Sequence, residues 1–87
     1  MYSIRLCAYG NPDHGEDPYR NIVNGIRVPD FVVEAKTIDE IVRCARDYID
    51  KYDLGSGNWK MAEVRNTNLD IVIGWMSYNG RIWSEKR

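Results

Sequence analysis

The stretch that most constrains this chain is "TIDEIVRCARDYIDKYDLG", Thr37 to Gly55. Its apolar residues, Ile38, Ile41, Val42, Ala45, Tyr48, Ile49 and Tyr52, recur at spacings of three and four and so form one stripe of an α-helix. Asp39, Arg43, Arg46, Asp47, Asp50 and Lys51 fill the other side, with opposite charges four residues apart. Thr37 and Glu40 have capping-box spacing. The Thr37 hydroxyl can accept from the Glu40 N–H, and the Glu40 carboxylate can reach back to the N–H of Thr37. Gly55 offers a left-handed stop. The chain has 87 residues, enough for a single domain over 1–87. At that size only a little over roughly 60% of the unfolded surface is buried. One amphipathic helix must therefore lie on a sheet made from what remains.

The remaining regular signals are short alternating runs. The first, Tyr2 to Tyr9, puts Ile4, Leu6 and Ala8 on one face and Ser3, Arg5 and Cys7 on the other. The loop "GNPDHGEDPYRN" follows, Gly10 to Asn21, almost without apolar residues. Asn24-Gly25 between Val23 and Ile26 predicts a type I′ turn and a small hairpin. A strand is expected over Phe31–Ala35, another over about Trp59–Arg65, then Ile71–Tyr78 and Arg81–Ser84. The predicted class is α+β: an antiparallel four- to five-stranded sheet with one helix on one face, in the order β-β-α-β-β-β, with a small extra hairpin before the second strand.

The last hairpin, "SYNGRIW", sets what the fold leaves over. A two-residue Asn79-Gly80 loop would place Tyr78 opposite Arg81, Ser77 opposite Ile82, Met76 opposite Trp83 and Trp75 opposite Ser84. Ile71, Ile73, Trp75, Ser77 and Ile82 would then face the helix. Met76, Tyr78, Arg81 and Trp83 would lie on the open face, and these are residue types enriched at interface hot spots. A purely structural reading stands beside this. Aromatic pairs across strands contribute about 0.2–1 kcal/mol by themselves, and Arg81 can stack on Tyr78 or Trp83.

Composition excludes several functions. Twelve basic against 13 acidic residues give a net charge of −1, unlike the basic stripe of a nonspecific nucleic-acid binder. No run is long enough for a transmembrane helix. Arg5 interrupts the only apolar run near Met1, so no signal peptide is expected and the predicted location is cytoplasmic. Cys7 and Cys44 read as free thiols without redox spacing. Asp13, His14, Glu16 and Asp17 cluster in the first loop, but their spacing matches no metal-ligand loop. His14 is the single histidine, and nothing pairs it with a nucleophile. "LGSGNW", Leu54 to Trp59, follows a helix and precedes a strand, the reverse of a phosphate loop. Neither an enzymatic activity nor a cofactor or metal is expected. A small hydrolase or ligand-binding subunit would rest on the acidic loop around His14 alone.

The segment from Phe31 to Trp83 resembles small uncharacterised proteins of phages, prophages and plasmids, through "EAKTIDEIVRCARDYID", "LGSGNW", Val64 and "SYNGRIW". The strand–helix–antiparallel-strand plan is also similar to several anti-CRISPR proteins. These resemblances imply a phage or mobile-element protein that binds without catalysis. On that basis the expected function is inhibition of a host defence complex, CRISPR-type, in the host cytoplasm. The expected partner is a host protein or ribonucleoprotein, with a homodimer as a further occupant of the same surface. The expected binding residues are Met76, Tyr78, Arg81 and Trp83, with Asp13, Glu16 and Asp17 mimicking phosphates toward a basic channel. The alternative is a single-stranded nucleic-acid binder stacking bases on Trp59, Tyr78 and Trp83 beside Arg81.

Overall fold

Ile4, Leu6 and Ala8 are all buried, as their alternation requires. They sit on and just beyond β1, Tyr2–Leu6, the strand from which the sheet is built outward. The structure, a computed structural model, describes residues 1–85. After β1 come a small hairpin of β2, Ile22–Val23, and β3, Ile26–Arg27; then β4, Phe31–Ala35; helix α1, Ile38–Lys51; β5, Ala62–Asn66; β6, Ile71–Met76; and β7, Ile82–Trp83. Five of the strands form one antiparallel sheet in the order β4-β1-β5-β6-β7, with β2 and β3 paired apart from it. The α+β class, the element order and the extra hairpin are those predicted.

The helix begins where its sequence dictates, but with one arm of the expected capping box: among the described residues Glu40 makes no return bond to the Thr37 N–H. Thr37 is the N-cap, and its Oγ1 accepts from the Glu40 N–H at 3.2 Å. The stripe then buries Ile41, Ala45, Tyr48 and Ile49 against β1 and β4. Its end differs from expectation. Asp53, at φ 50°, takes the left-handed position two residues before Gly55. The Leu54 N–H returns to the Ile49 carbonyl at 3.0 Å and the Asp53 N–H to Asp50 at 3.3 Å. This is a Schellman closure with aspartate where glycine is usual. Gly55 instead receives the Asn58 N–H on its carbonyl and gives its own N–H to Asn58 Oδ1, shaping the next turn.

Tyr48 is the hub of the helix–sheet contact. Its hydroxyl donates to the Pro29 carbonyl at 2.7 Å. Its ring meets the edges of Phe31, Tyr52 and Trp59, at centroid distances of 5.8, 5.1 and 6.4 Å. Burial pushes this phenol well above its ordinary pKa. Trp59 is also core, 7% exposed, its indole N–H donating to the Met76 carbonyl. It is therefore no platform for stacking bases, which removes one of the three aromatics on which the nucleic-acid reading relied.

The register of the last hairpin corrects the sequence reading. Met76 lies opposite Ile82 and Trp75 opposite Trp83. The Ser77 N–H donates to the Arg81 carbonyl and the Gly80 N–H to Ser77. The loop thus has three residues, Tyr78-Asn79-Gly80, with only Gly80 left-handed at φ 89°. That is a type I turn closed by a glycine bulge, not a type I′ turn. Asn24-Gly25, with φ 53° and 76°, does adopt type I′ values. A one-residue slip exchanges the faces of a strand. Met76, expected on the open face, is 0% exposed in the core, while Trp75, expected in the core, lies on the open face. A bulge between Val64 and Arg65 breaks the pairing of β5 with β6, leaving Ile73 between the paired Val72 and Gly74. Ile71 and Ile73, expected to meet the helix, are 48% and 37% exposed.

Candidate protein-binding face

The face turned away from α1 is built in rows by strand register. One row runs Glu34, Ser3, Arg65, Val72 across β4, β1, β5 and β6. The next pairs Val32 with Arg5 at one side and joins Glu63, Trp75 and Trp83 at the other. Among the described residues no helix lies over this face. It therefore carries two half-buried tryptophans as cross-strand neighbours, flanked by charge.

Trp83 is held in place. Its indole N–H donates to Ser77 Oγ at 3.3 Å, and that oxygen lies within hydrogen-bond distance of Asn79 Oδ1 and the Arg81 carbonyl. Asn79 Oδ1 also accepts from the Arg81 N–H. The turn that fixes the register thus fixes the indole. The Arg81 guanidinium carbon sits 4.1 Å from the Trp83 ring centroid. Arg81 is exposed on its outer side. A rigid aromatic carrying a cation over its face is a typical anchor for protein recognition, because little side-chain freedom remains to be lost on binding.

The charges around the pair are mostly satisfied within the chain. Arg65 bridges Glu63 and Asp70, and Arg5 bonds Asp30. The hydrogen bond from Arg5, then its charge, hold the Asp30 carboxyl below its usual pKa. Arginines so committed do not form a continuous cationic track for a phosphate backbone.

The proposed binding set is accordingly divided. Arg81 and Trp83 are on this face. Met76 is core. Tyr78 turns toward the helix side: its hydroxyl donates to the Leu54 carbonyl at 2.9 Å, and Arg46 lies 5.6 Å over its ring while donating to its carbonyl. Trp75, Glu63 and Arg65 belong to the face and were missed, because the slipped register assigned Trp75 to the core. A signal was present. Ser77 and Gly80 occupy the first and last positions of a four-residue type I turn, where serine and glycine are favoured.

The acidic loop is likewise not one surface. Glu16 is spent inside it. Oε1 accepts from the Asn11 N–H at 2.9 Å and from Asn58 Nδ2 at 3.4 Å, and Oε2 accepts from the Asn24 N–H at 2.7 Å. The two backbone bonds, from Asn11 and then Asn24, hold its carboxyl below the usual glutamate pKa. Asp17 caps the Tyr19 N–H and pairs with Arg20 at 3.6 Å. Asp13 is exposed in a single 3-10 turn, Pro12–His14. Buried Asn58 ties Nδ2 to the Tyr9 carbonyl, and Asn21 ties Nδ2 to that of Ala8. The loop is a fastened structure, not a solvated acidic tether. Among the described residues no group of three metal-ligating side chains converges and no helix is long and apolar enough to cross a membrane. Cys7 and Cys44 are both free. Compared with protein-family models, curated proteins and solved structures, the chain matches none significantly.

Proposed function

We propose that this chain is a non-enzymatic protein-binding module of a phage or mobile element, acting as an inhibitor of a host defence complex of CRISPR type. The observation that carries the binding reading is the cross-strand pair Trp75–Trp83 with Arg81 stacked on Trp83, on a sheet face that α1 leaves uncovered. Aromatics and arginine dominate interface hot spots, and here they sit in a pre-ordered hairpin. The phage origin and the defence target rest on the sequence resemblance alone. Phosphate mimicry contracts to Asp13 and a partly paired Asp17, so it is not part of the mechanism proposed. The nucleic-acid alternative is weaker than it was in sequence, with Trp59 buried, Tyr78 tied to the helix side and two of the face's arginines in ion pairs.

The test compares wild type with Arg81→Glu as baits in a lysate of a bacterium with an active CRISPR system. Arg81 is exposed and its backbone bonds in the turn are kept, so the variant should fold, melting only slightly below wild type for the loss of the Trp83 stack. Recovery of a defence ribonucleoprotein by wild type and its loss with Arg81→Glu supports the reading. The same proteins recovered by both baits, or recovery of single-stranded nucleic acid alone, would overturn it.

A further inference from the structure

A second surface lies at the opposite side of the sheet. Strand β4 is an edge strand, paired only with β1. Between β4 and α1 opens a cavity of about 320 Å³. Its walls are Phe31 and Val33 from the strand and Cys44 and Tyr48 from the helix, with Leu6 and the C-cap residue Tyr52 also lining it. Its rim carries Asp47 and Lys51. A second depression of about 270 Å³ adjoins it, sharing Lys51 and Tyr52 and lined further by Val23, Ile26, Val28 and Asp53. Phe31 at 45% and Ile26 at 62% exposure are apolar side chains left in water along this line.

The geometry points to a binding site for an extended peptide segment of a partner, added as a strand to β4 and placing a large apolar side chain between β4 and α1. The two features complement each other. A free strand edge offers backbone donors and acceptors without sequence preference, and a pocket beside it supplies specificity through alternate side chains. About 320 Å³ is at the lower end of ligand-pocket volumes, a size suited to one aromatic or large aliphatic side chain. Charge selects the neighbour of that anchor. The charged residues lining the two depressions are Asp47, Asp53 and Lys51. Lys51 already lies over the Tyr52 ring, 5.4 Å from its centroid. Among the described residues neither Asp47 nor Asp53 is in an ion pair. A lysine or arginine beside the apolar anchor would meet these carboxylates. This site is separate from the tryptophan face and does not depend on it.

The probe is a library of random ten-residue peptides displayed on phage and selected on the intact wild-type chain. The expected result is enrichment of an aromatic or large aliphatic residue next to lysine or arginine. A synthetic peptide of the enriched sequence should slow hydrogen exchange at alternate backbone amides of Phe31–Ala35. Asp47→Lys, an exposed change that leaves the core untouched, should weaken that peptide about tenfold, and exchanging the peptide's basic residue for glutamate should restore binding. Cys44→Phe, which fills the pocket from the helix wall, should abolish binding; an unchanged near-ultraviolet spectrum would show that the variant is folded. Failure to enrich any sequence overturns the proposal, as does binding indifferent to Asp47→Lys and Cys44→Phe. Exchange protection of β4 that appears with protein concentration alone would assign the edge to a second copy and overturn it too. Peptides that perturb the Trp75 and Trp83 indoles instead would support the proposed function while sinking this site.

Discussion

At the residue scale, Glu16 shows how a side chain that reads as surface charge becomes part of the framework. Its two oxygens take the backbone N–H groups of Asn11 and Asn24, which belong to different segments, so one carboxylate joins the 3-10 turn to the small hairpin. Glu16→Gln alone should therefore lower the melting temperature, whereas Asp13→Asn, in an exposed turn, should not. The pH dependence follows from the depressed pKa of Glu16. A carboxylate favoured in the folded state contributes its stability above the unfolded glutamate pKa of about 4.3, and loses it as pH falls through the lower folded value. The gap between wild type and Glu16→Gln should be constant between neutral pH and about 5.5 and close below about 4.3. Thermal melts across that range check it. A gap that persists unchanged in acid would mean that the ionised form is not what the two N–H groups hold.

At the element scale, the helix was legible because three independent codes agree on it: the stripe, the charge pairs and the cap. Thr37→Ala should cost about 1 kcal/mol by leaving the Glu40 N–H without its acceptor. The C-terminus was misread, since glycine is the usual left-handed residue and Gly55 stood close by, yet Asp53 takes that conformation. A non-glycine residue there carries strain of roughly 1 kcal/mol. Asp53→Gly should therefore raise the urea midpoint. A lowered midpoint would show that the Asp53 side chain stabilises the turn by more than its backbone strain. The hairpin was misread for a related reason. Asn-Gly occurs twice, and the dipeptide alone does not separate a two-residue turn from the last two positions of a three-residue loop. What separates them is context: Val23 precedes Asn24 as a strand residue, whereas Ser77 sets a type I turn around Tyr78, whose hydroxyl is drawn to Leu54. That preference for Leu54 is tertiary and invisible in sequence. Gly80 must still be glycine, because its φ of 89° is required by the bulge and an added Cβ would stand 3.3 Å from Val42.

At the scale of the whole molecule, one helix over a five-stranded sheet divides the surface into a covered face, an open face and two edges, and register decides which residues occupy each. Met76 and Trp83 were expected side by side; they are on opposite sides of the sheet, so they should respond to truncation in opposite ways. Met76, fully buried beneath Trp59's indole bond, should cost about 2–5 kcal/mol as Met76→Ala. Trp83→Ala removes a cross-strand neighbour and a stacked guanidinium, together about 1–2 kcal/mol. Its larger effect should be on partner affinity, where loss of an aromatic anchor costs about 2 kcal/mol or more. Urea denaturation of both variants, followed by binding measurements on Trp83→Ala with whatever the Arg81-dependent capture recovers, tests the division directly. If Trp83→Ala unfolds the chain as severely as Met76→Ala, the open face is holding the fold together and the tryptophan pair is no recognition surface. If Trp83→Ala folds normally and binds normally, the pair is dispensable to both, and binding must be sought at the β4 edge instead.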